Sequence, residues 1–252
     1  LIHSSRALQV HNRLHALTLA HELSDHSQLC SFYLDPEWRQ GHWPQLLSLG
    51  RLLFIAQHPQ RFAPDLAAVM PGVADGQGRS PFWEQVGRKF FGIEYNQVEY
   101  YHGTRNRTFI AELMPHHPLY VPLLAEEAQA VMGQVHPDAS LQFELLVEQG
   151  FEADDYIEIF DAGPVLTARR ALLQSWQHSR VSPLVAVEPL HQPIEAGQTR
   201  YLLMNDQLEN VRALVAPLAD PQQSPLVLSP ELARDLGVRV GDDVRWLPLP
   251  EQ

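Results

Sequence analysis

Gly133-Gln134-Val135-His136-Pro137 joins two helical patterns. Upstream, Glu126, Glu127, Ala130 and Val131 run from polar to apolar and stop at Gly133, which tolerates the positive φ of a helix end. Downstream, Pro137 suits the first helical position, and Leu141, Leu145 and Leu146 with Phe143 give an amphipathic stripe that closes at Gly150. His136 falls at the helix N-cap between them, where Ser, Thr, Asp and Asn are preferred and His has no special merit. With 13 His in the chain, position alone does not make this one catalytic, and a purely local cap is the plain reading.

Working outward, strands alternate with helices. Gln28 to Leu34 reads as a strand stopped by Asp35-Pro36, and the stripe Leu46, Leu47, Leu53, Phe54 as the helix after it. Leu66 to Gly72 reads as a second strand, followed by a turn at Asp75-Gly76-Gln77-Gly78. Ser80-Pro81 caps and starts a helix running through Glu84, Val86, Phe90 and Phe91 to Gly92. Thr108 to Met114 alternates as a strand with Glu112 between Ile110 and Met114 on one face, and Tyr156 to Asp161 as a strand with Glu158 between Tyr156 and Phe160. A Glu among apolar neighbours needs a partner, so each is either a salt-bridged structural residue or a carboxylate that receives a cationic substrate. Ala7 to His21 is expected to be a helix; within it His11 and His15 have helical metal-pair spacing but lack the Glu of a zincin motif, and no metal is expected. Ala168 to Gln177 is expected to be a helix and Ser179 to Pro183 a linker. Beyond it, Tyr201 to Met204, Val211 to Pro217 and Leu226 to Leu228 read as short strands. With the capped helix Ser229 to Gly237 and a strand through Trp246, they predict a small β-barrel-like C-terminal domain. The whole is α/β (α+β), divided into residues 1–180 and 181–252.

Composition narrows the partners. A hydrophobic content of 45% with 19% charged residues describes a globular chain, and no apolar run approaches the ~18 residues that span a bilayer. The net charge of −12 opposes attraction to nucleic acid or to anionic lipid. Cys30 is the single cysteine, which excludes an intramolecular disulfide and a cysteine-built zinc site and points to the cytoplasm; it is expected to be a small buried residue in a strand.

Three runs carry a resemblance: Gly133 to Pro137, Phe109-Ile110-Ala111-Glu112-Leu113-Met114-Pro115, and Ile159-Phe160-Asp161-Ala162-Gly163-Pro164. Together they resemble the arginine N-succinyltransferase family. Tyr201-Leu202-Leu203-Met204-Asn205 is similar to the alpha subunit of the arginine/ornithine enzyme, and the chain, which opens at Leu1, is expected to be N-terminally incomplete. The resemblance implies an acyl-CoA N-acyltransferase (GNAT-like) fold in residues 1–180. It also implies transfer of succinyl from succinyl-CoA to the α-amino group of L-arginine, in arginine catabolism. Succinyl-CoA would be a cosubstrate with no permanently bound cofactor, and a homologous beta subunit would complete a hetero-oligomer. His136 matches the family's proposed proton donor. Phe32 lies at a family position that contacts succinyl-CoA and is Leu there, so only a main-chain role carries over. Arg39 matches the Arg of the phosphate loop Arg-x-x-Gly-x-Gly, but His42 and Pro44 stand where the glycines belong, and Pro44 has no N–H to donate. Glu112 and Glu158 are the candidates for the substrate guanidinium, and Arg88-Lys89 and Arg105-Asn106-Arg107 are positive clusters open to CoA phosphates. The altered loop also supports an alternative, a noncatalytic or regulatory subunit that has lost CoA binding. An amino-acid sensor is a third reading.

Overall fold

The structure is a computed structural model and describes residues 1–104, 108–189 and 199–250. Helices and strands are interspersed along the chain in a mixed α/β fold, as expected. Two compact units form, each from separated segments. The first comprises Leu1–Cys30, Ala67–Phe143 and Glu152–Thr167, and the second Ser31–Leu66, Glu144–Phe151 and Ala168–Gln252.

A four-stranded sheet, most of whose residues belong to the first unit, runs in the order Ser27–Leu29, Asp65–Val69, Pro164–Arg169, Glu152–Ile157. The last two strands are antiparallel, with a register irregularity between Glu152 and Tyr156. The chain around Ser80 forms the helix that its cap predicts: Ser80 Oγ accepts the Trp83 N–H at 3.2 Å, and Gly92 ends it with φ 69°. Its middle turn, Trp83–Gly87, is a π-turn. A Cβ on Gly87 would overlap the Trp83 indole, so the glycine makes room for that ring. Trp83 is fully buried, lies 5.2 Å from Phe91 and 5.7 Å from Phe160 between ring centroids, and donates its indole N–H to the Ile93 carbonyl at 3.1 Å.

The second unit carries an open five-stranded sheet in the order Ala213–Pro217, Arg200–Asn205, Asp243–Pro248, Arg180–Val187, Leu226–Leu228. Its ends do not pair with each other. Leu184, Leu203, Leu228, Leu236, Val244 and Trp246 form the centre of its core. Helix Pro230–Leu236 starts on Ser229 Oγ, which accepts the Leu232 N–H at 3.2 Å, and stops at Gly237 with φ 71°. Helix Trp43–Gln57 belongs to this unit and buries Leu49, Leu52, Leu53 and Ile55. Pro44 sits in its first turn, where a missing N–H costs nothing.

Several elements differ from expectation. Ala7 to His21 is not a helix: Ile2–Ser5 and Val10–Arg13 pair as an antiparallel ribbon around Gln9, whose φ is 52°. The mixed spacing of its leucines supplied no single helical face, and cross-strand pairing prevailed. The strand at residue 27 ends at Leu29, so Phe32 lies outside it and Cys30 is exposed. Thr108–Leu113 is a helix; six residues fit either period, and Ile110 and Met114, one turn apart, pack into one cluster. The strand before Glu158 ends at Ile157, leaving Glu158 to Asp161 in a turn. The expected linker at residues 179–183 is strand Arg180–Val187, whose Ser182 Oγ accepts the Trp246 indole N–H at 3.0 Å. The expected helix over residues 168–177 is reduced to Gln174–His178.

Trp83→Ala should lower the stability of the chain by ~3–5 kcal/mol, the usual cost of emptying a large aromatic site. Chemical denaturation followed by circular dichroism checks this, and a loss below ~1 kcal/mol would mean that the cluster around Trp83 is loosely packed.

Candidate active site

Helix Glu126–Val131 ends on an extended Met132, and Gly133, expected to stop it, follows in a turn at φ 70° and donates its N–H to the Ala162 carbonyl at 2.9 Å. Two residues on, Val135 pairs with Gly72 across an isolated antiparallel bridge, and the His136 N–H donates to the Pro71 carbonyl at 2.8 Å. The backbone of this stretch is thereby sewn to Pro71-Gly72 on one side and to Ala162 on the other. His136 is the N-cap of the 3-10 turn Pro137–Ala139 that leads into helix Ser140–Glu148. Its Nδ1 accepts the Asp138 N–H at 3.2 Å, with the Asp138 carboxylate 3.8 Å away. An Nδ1 that accepts leaves the proton of the neutral ring on Nε2, and the side chain is about one-third exposed.

The turn that carries Glu158 meets the same backbone. Asp161 is 7% exposed; its Oδ2 accepts the Gly72 N–H at 2.7 Å and its Oδ1 the Gly163 N–H at 2.8 Å. The approach is close enough that a Cβ on Gly163 would run into the Met70 carbonyl, and one on Gly72 into the Asp161 backbone. Ala162, between them, holds φ at 58°. Glu158 Oε2 accepts the N–H groups of Phe160 at 2.6 Å and Asp161 at 3.0 Å. Burial first, and the neighbouring Asp161 charge second, push the Glu158 carboxyl up to about 7, against the pull of those N–H groups.

Glu158 opens on a cavity of about 530 Å³ in the first unit. Val69, Phe82, Ile110, Met114 and Phe160 give it apolar walls, and His102, Asp155 and Glu22 join Glu158 as its ionisable lining. Glu158 is half-buried by its own surface because its open part faces this cavity.

The sequence-derived candidates do not all converge. His136 and Glu158 share one hydrogen-bonded backbone frame, though His136 does not line the cavity. Glu112 is exposed on helix Thr108–Leu113 and does not line the cavity either. Phe32 and Arg39 belong to the second unit. There the Arg51 guanidinium lies 5.1 Å from the Phe32 ring, and the exposed Arg39 donates Nε–H to the Leu34 carbonyl at 3.1 Å. His42 precedes helix Trp43–Gln57 without capping it, its Nδ1 3.2 Å from Gln45 Oε1. Of the Arg88-Lys89 cluster, Arg88 is held in ion pairs with Glu84 and Glu94 and Lys89 is exposed, and Arg105 to Arg107 lie outside the described residues. Among the described residues no cluster of His, Cys, Asp or Glu fits a metal ion, and no helix is long and apolar enough to cross a membrane. Sequence reasoning passed over Asp161; the signal was the Asp-Ala-Gly-Pro order, a carboxylate next to a turn that needs its N–H groups satisfied.

Comparison with known proteins places this architecture. The family model described as "Arginine N-succinyltransferase beta subunit" matches residues 1–175, and the model for that subunit's C-terminal domain matches residues 185–248. The chain belongs to the arginine N-succinyltransferase family. Among members of the family, the arginine N-succinyltransferase subunit alpha of Pseudomonas aeruginosa is 46% identical over 244 residues, 97% of this chain and 71% of that one. An arginine N-succinyltransferase of Yersinia pseudotuberculosis is 42% identical over 255 residues, 99% of this chain and 71% of its own. The solved structure of arginine/ornithine succinyltransferase subunit AI from Pseudomonas aeruginosa superposes with a TM-score of 0.85 at 42% identity, covering 100% of this chain and 71% of that one.

The Glu158 environment has a consequence for stability. A carboxyl raised from 4.5 to about 7 favours the folded state in its protonated form. Its contribution is therefore complete below about pH 4.5 and lost as pH rises to about 7, up to ~3 kcal/mol in all. Glu158→Gln, which stays neutral, should gain stability relative to the unaltered chain across that window and keep a constant advantage above it. Denaturant midpoints at several pH values measure this; parallel pH profiles for the two chains would mean that Glu158 is as well solvated as an ordinary carboxylate.

Proposed function

We propose that this chain is the alpha-type subunit of an arginine N-succinyltransferase, moving succinyl from succinyl-CoA to the α-amino group of L-arginine. Ornithine, an α-amine with a cationic end, fits as a second acceptor by its chemistry. The observation that carries this reading is the intact Gly133 to Pro137 stretch, with His136 Nδ1 committed to the Asp138 N–H. Family membership supports it.

In the transfer, the α-amine attacks the thioester carbonyl, a C–N bond forms, and the C–S bond breaks. The amine nitrogen sheds a proton to solvent and the departing thiolate takes one up. A ring fixed through Nδ1 presents Nε2 to the substrate. When the ring is protonated, Nδ1 becomes a donor and the Asp138 carboxylate at 3.8 Å supplies the countercharge, so the proton on Nε2 is the one delivered to sulfur. Glu158 is the carboxylate for the cationic end of the amino acid, in the cavity it lines. Glu112, exposed on its helix, is the outer candidate of the pair.

The second unit supplies the candidates for succinyl-CoA, with Phe32 contributing main chain and Arg39 a phosphate charge. His42 and Pro44 replace the glycines whose N–H groups would cradle the pyrophosphate, which favours a second reading: a subunit that binds CoA weakly until a homologous beta subunit joins it. Residues 1–180 and 181–252 are the proposed domain division, with the acyltransferase chemistry in the former and a location in the cytoplasm.

His136→Asn should lower kcat by ~10²-fold or more with little change in melting temperature, the usual loss when a general acid is removed. Release of CoA thiol on mixing succinyl-CoA with L-arginine is the assay, and wild-type turnover by the variant would reduce His136 to a helix cap. The double change His42→Gly with Pro44→Gly should tighten CoA binding roughly ten- to a hundredfold, since a main-chain bond to a charged group is worth ~1.5–3 kcal/mol. Unchanged affinity by titration calorimetry would move the phosphate site away from this loop.

A further inference from the structure

Two carboxyl groups three residues apart, Glu158 and Asp161, occupy one turn of the first unit. Among the described residues neither is ion-paired with Lys, Arg or His. Their situations differ. Asp161 has both oxygens bonded to backbone N–H groups and lies off the cavity, so its carboxyl is used up in holding the backbone. Glu158 has Oε2 committed to two N–H groups and the remainder of its carboxyl directed at the cavity. Among the described residues, the other groups around it do not supply a fixed cation. The Tyr95 phenol, raised by burial and by the charges of Asp161, Glu99 and Glu158, stays neutral; Asp155 and Glu22 on the lining are acids and Tyr156 is a phenol; His102, packed 5.2 Å from the Phe160 ring, is the one base among the described lining residues. With no counter-ion among the described residues, two like charges in a turn with apolar walls are costly together, and the group that can shed its charge does so.

Resting on the function proposed above, we propose that the Glu158 carboxyl receives the cationic end of the amino-acid substrate and loses its proton to solvent as that cation enters, so that substrate capture and proton release are one event. The guanidinium keeps all its protons and donates N–H to the newly ionised carboxylate; the O–H bond of the carboxyl is the bond that breaks, and water takes the proton. The raised Glu158 carboxyl, near 7 in the empty cavity, agrees with this. The consequence is an amino-acid affinity that rises with pH up to about 7 and then levels off.

Isothermal titration of the chain with L-arginine, in two buffers of different ionisation enthalpy, reads the proton directly. At about pH 6 close to one proton should be released per arginine bound, and at about pH 8 roughly a tenth of one. Glu158→Gln should abolish the buffer dependence, whereas His102→Gln should leave it in place. Arginine binding without buffer dependence overturns the proton release alone and leaves the proposed function standing; release that survives in Glu158→Gln does the same, assigning the proton elsewhere. Failure of L-arginine to bind the unaltered chain overturns both. The unaltered chain suffices for the first and last of these outcomes, so the inference does not depend on the variant folding.

Discussion

The Asp161 carboxylate, one oxygen on the Gly72 N–H and the other on the Gly163 N–H, is the contact that the first unit depends on. It satisfies two buried donors at once, the Gly72 N–H beside its bridge to Val135 and the Gly163 N–H in the turn. Gly72 and Gly163 let three backbones converge, and Asp161 holds them there. Everything proposed for the site follows from that convergence. Val135-His136 is laid against Pro71-Gly72, and the turn after Ile157 swings the Glu158 side chain to the cavity.

This arrangement sets a carboxyl with both oxygens bonded to backbone N–H groups beside one that has a single oxygen so bonded and the rest open to a cavity. Environments that push neighbouring carboxyls apart in proton affinity are a recurring way for a protein to hold one proton in reserve. The same turn is thus both a structural knot and the most polarised spot on the cavity wall.

How much of this was legible in the sequence varies with the range of the interaction that decides each element. Where local chemistry decides, the reading succeeds: Ser80 and Ser229 cap their helices, Gly92 and Gly237 end theirs in the left-handed region, and Pro44 opens its helix. Where pairing or packing between distant segments decides, it fails. Residues 7–13 carry apolar side chains at no fixed period, and their pairing with residues 2–5 is a matter of register that no local window contains. Thr108 to Leu113 is too short for its period to discriminate, and Ile110 and Met114 are drawn into the aromatic cluster around Trp83. For the site, His136 and Glu158 were readable as unusual residues in their settings, but the link between them runs through Pro71, Gly72 and Asp161. Two of those residues lie more than sixty positions from His136 in the chain, and only the fold brings them to it.

The way the two units divide the chain bears on how the protein is made. Ser31–Leu66 belongs to the second unit, whose largest segment begins at Ala168, about a hundred residues later. Helix Trp43–Gln57 leaves the ribosome with Leu49, Leu52, Leu53 and Ile55 uncovered, and strands Arg200–Asn205 and Ala213–Pro217, which pack against it, are not yet synthesised. At ~5–20 residues per second that interval lasts on the order of ten seconds, long against hydrophobic collapse. The nascent chain therefore passes through a stage in which these apolar side chains have been made and the core they join has not.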